Sequence, residues 1–220
     1  MMRFWIGVLL LGALAGCQGK PGYEYRLGDV LLEQDFSQSF AWERYQSTER
    51  GTDARVEAGV YRMQARGSGY IWGLNAAMHD NVMIEVQAQQ QSDDSNNAYG
   101  VMCRADPSND GDGYYFLISG DGYWSIRRSS GDGVEPLVEF TRSDAIRRDQ
   151  SLNTLRAICV DDYLALYVND QFVGEARDRL YSAGFAGMIV AAAGDDGEAN
   201  VDIAFDNLRI VEARIVLPGF

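Results

Sequence analysis

Beyond Asp29 the chain is a series of short apolar stretches, each bounded by Gly, Asn or Asp. The cleanest is "DNVMIEVQAQ". On an extended strand Val82, Ile84, Val86 and Ala88 point one way and Met83, Glu85, Gln87 and Gln89 the other. That pattern predicts one buried face and one that is solvated or lines a groove. "DARVEAGVYRMQAR", "AYGVMCRA", "GYYFLIS", "GYWSIRR", "NTLRAICV", "YLALYVN", "GFAGMIVAA" and "NVDIAFDNLRIV" are further strands. No long window has a helical period, and the best place for a turn or two of helix is near "TRSDAIRRD". Turn signals recur at intervals typical of an antiparallel sandwich. Asn169-Asp170 and Gly120-Asp121-Gly122 each join two β-rich runs, so both read as hairpins. Val201, Ile203 and Phe205 hold one parity while Leu208 and Ile210 hold the other. The slip at Asp206-Asn207 predicts a β-bulge that returns both groups to the same core.

The N-terminus breaks this pattern. Arg3 precedes an apolar run from Phe4 to Ala13, too short to span a bilayer and suited to the core of a secretory signal. Leu14-Ala15-Gly16-Cys17 then resembles the lipobox of bacterial lipoproteins, where small residues precede a cysteine that is acylated and becomes the first mature residue. The resemblance implies a signal peptide over 1–16, a lipidated Cys17, and attachment to the membrane through the lipid anchor. Each buried methylene of such a chain adds about 0.8 kcal/mol to binding. Gln18 replaces the aspartate that commonly retains such proteins at the inner membrane, which favours the outer membrane if the envelope has two. Residues 17–28 read as a tether, 29–212 as the folded domain and 213–220 as a C-terminal tail.

Composition narrows the function. A formal net charge of -13 over 220 residues disfavours nucleic acid, whose phosphates require clustered Lys and Arg. Lys20 is the only lysine, so no Schiff-base lysine lies in the folded part. Apolar residues at 46% are enough to build a sizeable core.

The stretches "YGVMCRADPSNDGDGYYFLISGDGYWSIRR", "NTLRAICVDDYLALYVNDQFVGEARD" and "VDIAFDNLRIV" resemble the laminin-G-like, concanavalin A-like jelly roll of bacterial extracellular proteins and lipoproteins. The resemblance implies an all-β fold of two antiparallel sheets, one convex and one concave. It leaves function open, because this fold hosts lectins, glycanases and spacers alike.

Several stretches carry candidate chemistry. Asp106, Ser108, Asp110, Gly111 and Asp112 match the early positions of a calcium loop, but Leu117 stands where its bidentate Glu belongs. A looser calcium site near Asp206 stands beside the alternative that Asp206 caps the bulge. The laminarinase-like branch of the fold carries its catalytic carboxylates as E-x-D-x-x-E on one strand. Glu33 and Asp35 begin such a segment, and Gln38 ends it without the third carboxylate. Glu85 is isolated between glutamines. His79, the one histidine, falls in a turn where solvation is expected. With Cys17 lipidated, Cys103 and Cys159 remain to form a disulfide between neighbouring strands in an exported protein. Two cysteines and one histidine are too few for zinc.

The aromatics are the last candidates. In the hairpin from Tyr114 to Arg127, Phe116, Ile118, Trp124 and Ile126 form the core set. That leaves Tyr115, Tyr123 and Arg127 on the second face, together with Arg104. Such a face can stack on a sugar ring while arginine donates to hydroxyls or carboxylates. The reading is a non-catalytic envelope lipoprotein that binds glycan, or another envelope component, on the concave sheet. A sugar-cleaving enzyme and a structural spacer are the alternatives.

Overall fold

The computed structural model describes residues 19–38, 42–49, 51–67, 69–106, 108, 111–131, 133–193 and 199–216. The signal segment and Cys17 lie outside them. Among the described residues there is no helix. One antiparallel sheet has nine strands: β1 (Glu24–Gln34), β2 (Tyr45–Ser47), β3 (Thr52–Glu57), β4 (Val60–Arg66), β6 (Val82–Gln90), β11 (Leu152–Val160), β12 (Tyr163–Val168), β13 (Gln171–Arg177) and β15 (Asn200–Val216). Its order is β13-β12-β11-β6-β15-β4-β3-β2, with β1 paired to β15. The second has six: β5 (Gly69–Leu74), β7 (Ala98–Ala105), β8 (Gly113–Ser119), β9 (Tyr123–Ser130), β10 (Gly133–Arg142) and β14 (Phe185–Ala192). They lie in the order β10-β9-β8-β7-β14-β5.

The alternating runs become strands with the expected sidedness. Val82, Ile84, Val86 and Ala88 are buried between the sheets, while Glu85, Gln87 and Gln89 are half-buried on the far side. Asn169 and Asp170 take φ of 50° and 64°, the left-handed pair that a two-residue hairpin needs. The phase slip is a bulge: the register shifts between Asp206 and Arg209, Asn207 has φ 52°, and Phe205 and Leu208 are both fully buried.

Four sequence expectations are corrected. "DARVEAGVYRMQAR" is a hairpin of β3 and β4, turning at Ala58 and Gly59. "TRSDAIRRD" makes turns and no helix, and its Ala145 and Ile146 plug the core. Residues 24–28 are strand rather than tether, and 213–216 belong to the sheet rather than to a tail. Glu24 pairs with Val216 and Leu27 with Ala213, so the sheet extends at both ends.

Two notches lock the sheets together. The Trp124 ring from β9 crosses into the backbone of β13, where a Cβ on Gly174 would stand within van der Waals overlap of it. At the other end Tyr61 of β4 fits the same way against Gly73 of β5. Close packing leaves no room for even one added methyl at such sites. Cys103 and Cys159 form the expected disulfide, with Cα atoms 6.8 Å apart. It joins β7 to β11, however, and so ties one sheet to the other rather than neighbouring strands of one sheet. Closing a loop of 56 residues, it contributes about 4 kcal/mol on the chain-entropy model.

Candidate functional site

The outer face of the six-stranded sheet can be read directly from the registers. One row runs Tyr70 on β5, Ala191 on β14, Ala98 on β7 and Ser119 on β8, and Tyr123 lies beyond it across the β8–β9 hairpin. Large rings therefore stand at the ends of a row whose middle holds only small side chains. Four strand spacings separate the two tyrosines, about 19 Å along a flat sheet. The result is a trough of ≈ 490 Å³ lined by Tyr70, Asn96, Ala98, Asp121, Tyr123, Phe140 and Ala191 to Ala193. Phe140 on the edge strand β10 is 40% exposed and Tyr70 and Tyr123 are half-buried, so ring surface is offered to solvent.

The second row along on the same face, Arg127–Tyr115–Met102–Gly187–Leu74, lies beyond an intervening row of Ser125, Leu117, Gly100, Ile189 and Trp72. Tyr115 packs on Tyr70 with ring centroids 5.4 Å apart. It also donates its hydroxyl to the carbonyl of Gly111 in the β7–β8 loop. That loop closes over the sheet: Gly111 has φ +91°, and a Cβ there would stand 2.6 Å from the Trp72 ring. Tyr115 is consequently 1% exposed, and burial pushes its phenol up to about 12. It supports Tyr70 from behind and offers no surface of its own.

Arg127 stands at the Phe140 end. Its guanidinium lies over the Phe140 ring, 5.6 Å from the centroid. It is also close enough to Tyr70 to offset part of the rise that burial gives that phenol. Asp121 occupies the other end, beside the Gly120–Gly122 turn, and accepts a hydrogen bond from the Ser119 hydroxyl.

Two of the expected platform residues, Tyr123 and Arg127, are thus brought together on an accessible face. Tyr115 has the expected side but lies under a loop. Arg104 is not on this face at all. It is 2% exposed with φ 51°, and its guanidinium donates to the carbonyls of Asp80 (3.0 Å), Asp161 (2.7 Å) and Tyr181 (2.9 Å) and to Asn81 Oδ1 (3.2 Å). Every side of that cation is spent on fastening three loops. Tyr70 and Phe140, which complete the trough, were not singled out by the sequence.

The other candidates are dispersed. His79 is buried rather than solvated: it makes an isolated bridge with Gly184, its ring nitrogen meets the Asn75 amide at 2.9 Å, and burial lowers its pKa. Glu33 pairs with Arg209 at 2.9 Å, and Asp35 accepts from the amide of Ser37. Glu85 pairs with Arg156 at 2.7 Å. Asp206 accepts from the Asn207 amide at 2.7 Å, as a bulge cap does. In the loop, Asp106 turns onto the amide of Ser108, Asp112 takes Ser129 and Gly131, and Asp110 lies outside the described residues. Among the described residues no group of three or more His, Cys, Asp or Glu could hold a metal ion. A concavity of ≈ 690 Å³ at the β1–β15 end has no aromatic ring in its wall.

No protein-family model and no curated protein matches the sequence. Solved structures do. The chain is similar to a carbohydrate-binding module from Bacillus subtilis, at 16% identity and TM-score 0.55, covering 80% of this chain and 94% of that one. It is similar to a galectin-like protein of unknown function from Bacillus subtilis, at 11% identity and TM-score 0.63, covering 86% and 99%. The catalytic domain of an endo-1,3-β-glucanase (laminarinase) from Thermotoga petrophila matches at 11% identity and TM-score 0.57, covering 86% and 98%. At such identities the likeness speaks for the fold: the chain is a concanavalin A-like jelly roll of two antiparallel sheets.

Proposed function

We propose that this protein binds a saccharide on the outer face of its six-stranded sheet, as an envelope lipoprotein held by an acylated Cys17. The observation that carries the binding reading is the trough itself, with Tyr70, Tyr123 and Phe140 standing around a floor of Ala98 and Ala191. Aromatic rings present apolar faces on which a pyranose can stack, and a floor of small residues lets it approach. The likeness to a carbohydrate-binding module and to glucanase domains supports the same class of ligand.

The anchor reading agrees with how the chain enters the fold. The amide of Gly22 donates to Glu175 at 2.8 Å, and Tyr23 packs on Tyr163 with Arg177 4.6 Å above its ring. The segment that follows Cys17 therefore docks on the nine-stranded sheet, and the trough on the opposite sheet is left free.

A glycan array probed with the protein and with its Tyr70→Ala and Tyr123→Ala variants tests the binding. At least one saccharide class should bind, and each variant should weaken it by about tenfold or more, in line with the worth of a stacked ring. Binding that survives both substitutions would place the ligand elsewhere. Cys17→Ser should move the protein out of the membrane fraction, and unchanged partitioning would reject the acyl anchor.

A further inference from the structure

Arg127 differs from the arginines that carry ion pairs on the sheet faces. Arg62, Arg128, Arg156 and Arg209 each meet a carboxylate within 2.9 Å. No carboxylate lies within ion-pair distance of Arg127 among the described residues. Its Nε is buried without a hydrogen-bond partner. Of the terminal nitrogens only Nη1 has a contact, a long 3.5 Å approach to the Ser125 hydroxyl. The ring of Phe140 beneath it fixes its plane but takes none of its donors.

A guanidinium carries five N–H donors in a rigid fork and cannot shed its charge. The Nε–H is buried without an acceptor, which is unfavourable, while the rest of this half-buried side chain meets water until a ligand supplies acceptors. The group that matches a planar fork is an oxyanion with two oxygens at one edge. Long-range attraction does not bring anions here, because the chain carries a net charge of -13. Any preference for a negative ligand must be local to this arginine. Asp121 at the far end of the trough repels such a group, so the two ends are electrostatically distinct.

Resting on the binding reading above, we infer that the saccharide is acidic, and that Arg127 receives its carboxylate or sulfate while the neutral rings lie toward Tyr123 and Tyr70. A neutral saccharide gains the stacking and offers the guanidinium only single hydroxyl acceptors, without charge or a matching pair of oxygens.

Calorimetric titration of the full chain with three oligosaccharides tests this. Tetragalacturonate carries carboxylates, its carboxyl-reduced form is the neutral counterpart, and a sulfated galactan tetrasaccharide carries the other oxyanion. At least one anionic ligand should bind about tenfold tighter than the neutral one, with a preference that shrinks as salt is raised. Which of the two does so separates carboxylate from sulfate. Arg127→Gln should erase the preference, bringing anionic and neutral ligands to the same affinity, while Arg127→Lys, which keeps charge without the fork, should retain part of it. Equal affinity for all three ligands, or a preference that survives Arg127→Gln, would overturn the inference and leave saccharide binding intact. Neutral glycans that bind on the array, with neither anionic ligand binding in the calorimeter, would overturn it in the same way. Absence of any saccharide binding would reject both readings.

Discussion

The outer faces of the two sheets solve the same problem in opposite ways. On the nine-stranded sheet the charges close on themselves: Arg156 bridges Glu85 and Asp170, each at 2.7 Å, Arg62 reaches Asp202 at 2.5 Å, and Arg209 reaches Glu33 at 2.9 Å. Its apolar patch around Met83, Ile158 and Ala165 is packed by Tyr23, Tyr25, Tyr167 and Phe172, the first two from the N-terminal segment. On the outer face of the six-stranded sheet Tyr115, Leu117, Met102, Ala105 and Ile189 are covered. That face leaves Tyr70, Tyr123, Phe140 and an unpaired Arg127 around an open trough. A face that has already used its donors and rings holds a fold together. A face with donors and rings unspent, on an otherwise equally well-packed scaffold, has them available for a ligand.

The sharpest way to break this contrast is to cut two neighbours in sequence that point to opposite sides. Trp124 is 5% exposed and fills the Gly174 notch, so Trp124→Ala should cost about 3–5 kcal/mol in a denaturant titration. Tyr123→Ala should cost less than about 1 kcal/mol and show its effect in binding. If the two variants lose similar stability, the division between core and open face is misdrawn.

A smaller effect sharpens the electrostatic half. Arg156→Met breaks two ion pairs and leaves Glu85 alone on the sheet, for a loss of about 1 kcal/mol that fades with salt. Arg127→Met breaks none and removes an unpartnered buried N–H, so stability should stay within about 0.5 kcal/mol of the parent or rise. A loss at Arg127 as large as that at Arg156 would mean that it has a structural role after all.

The centre of the fold was legible in the sequence and the site only in part, for one physical reason. The interior strand β6 buries one face fully, and from Ile84 on its alternation is clean. The edges of the six-stranded sheet are β5 and β10, and those carry Tyr70 and Phe140. Edge strands need not alternate. β10 contains Pro136, tolerated where one side of the backbone goes unpaired, and two register shifts, while β5 is short with glycines at 69 and 73. No periodicity therefore pointed to those two rings. Parity did place Tyr123 and Arg127 opposite Trp124 and Ile126. It could not show that the β7–β8 loop covers Tyr115, because that closure rests on a long-range contact between Gly111 and Trp72. Arg104 failed for a related reason. Its left-handed backbone turns the side chain toward the carbonyls of three loops far apart in sequence.

The most direct measurement is the location of the ligand. Backbone amide shifts of the isotopically labelled protein, followed while a saccharide found on the array is added, should move along the row Tyr70, Ala191, Ala98, Ser119 and Tyr123 and at Arg127. The nine-stranded sheet should stay still. Shifts gathered around Arg156, Glu85 and Tyr167, with the Tyr70–Tyr123 row unmoved, would contradict the account.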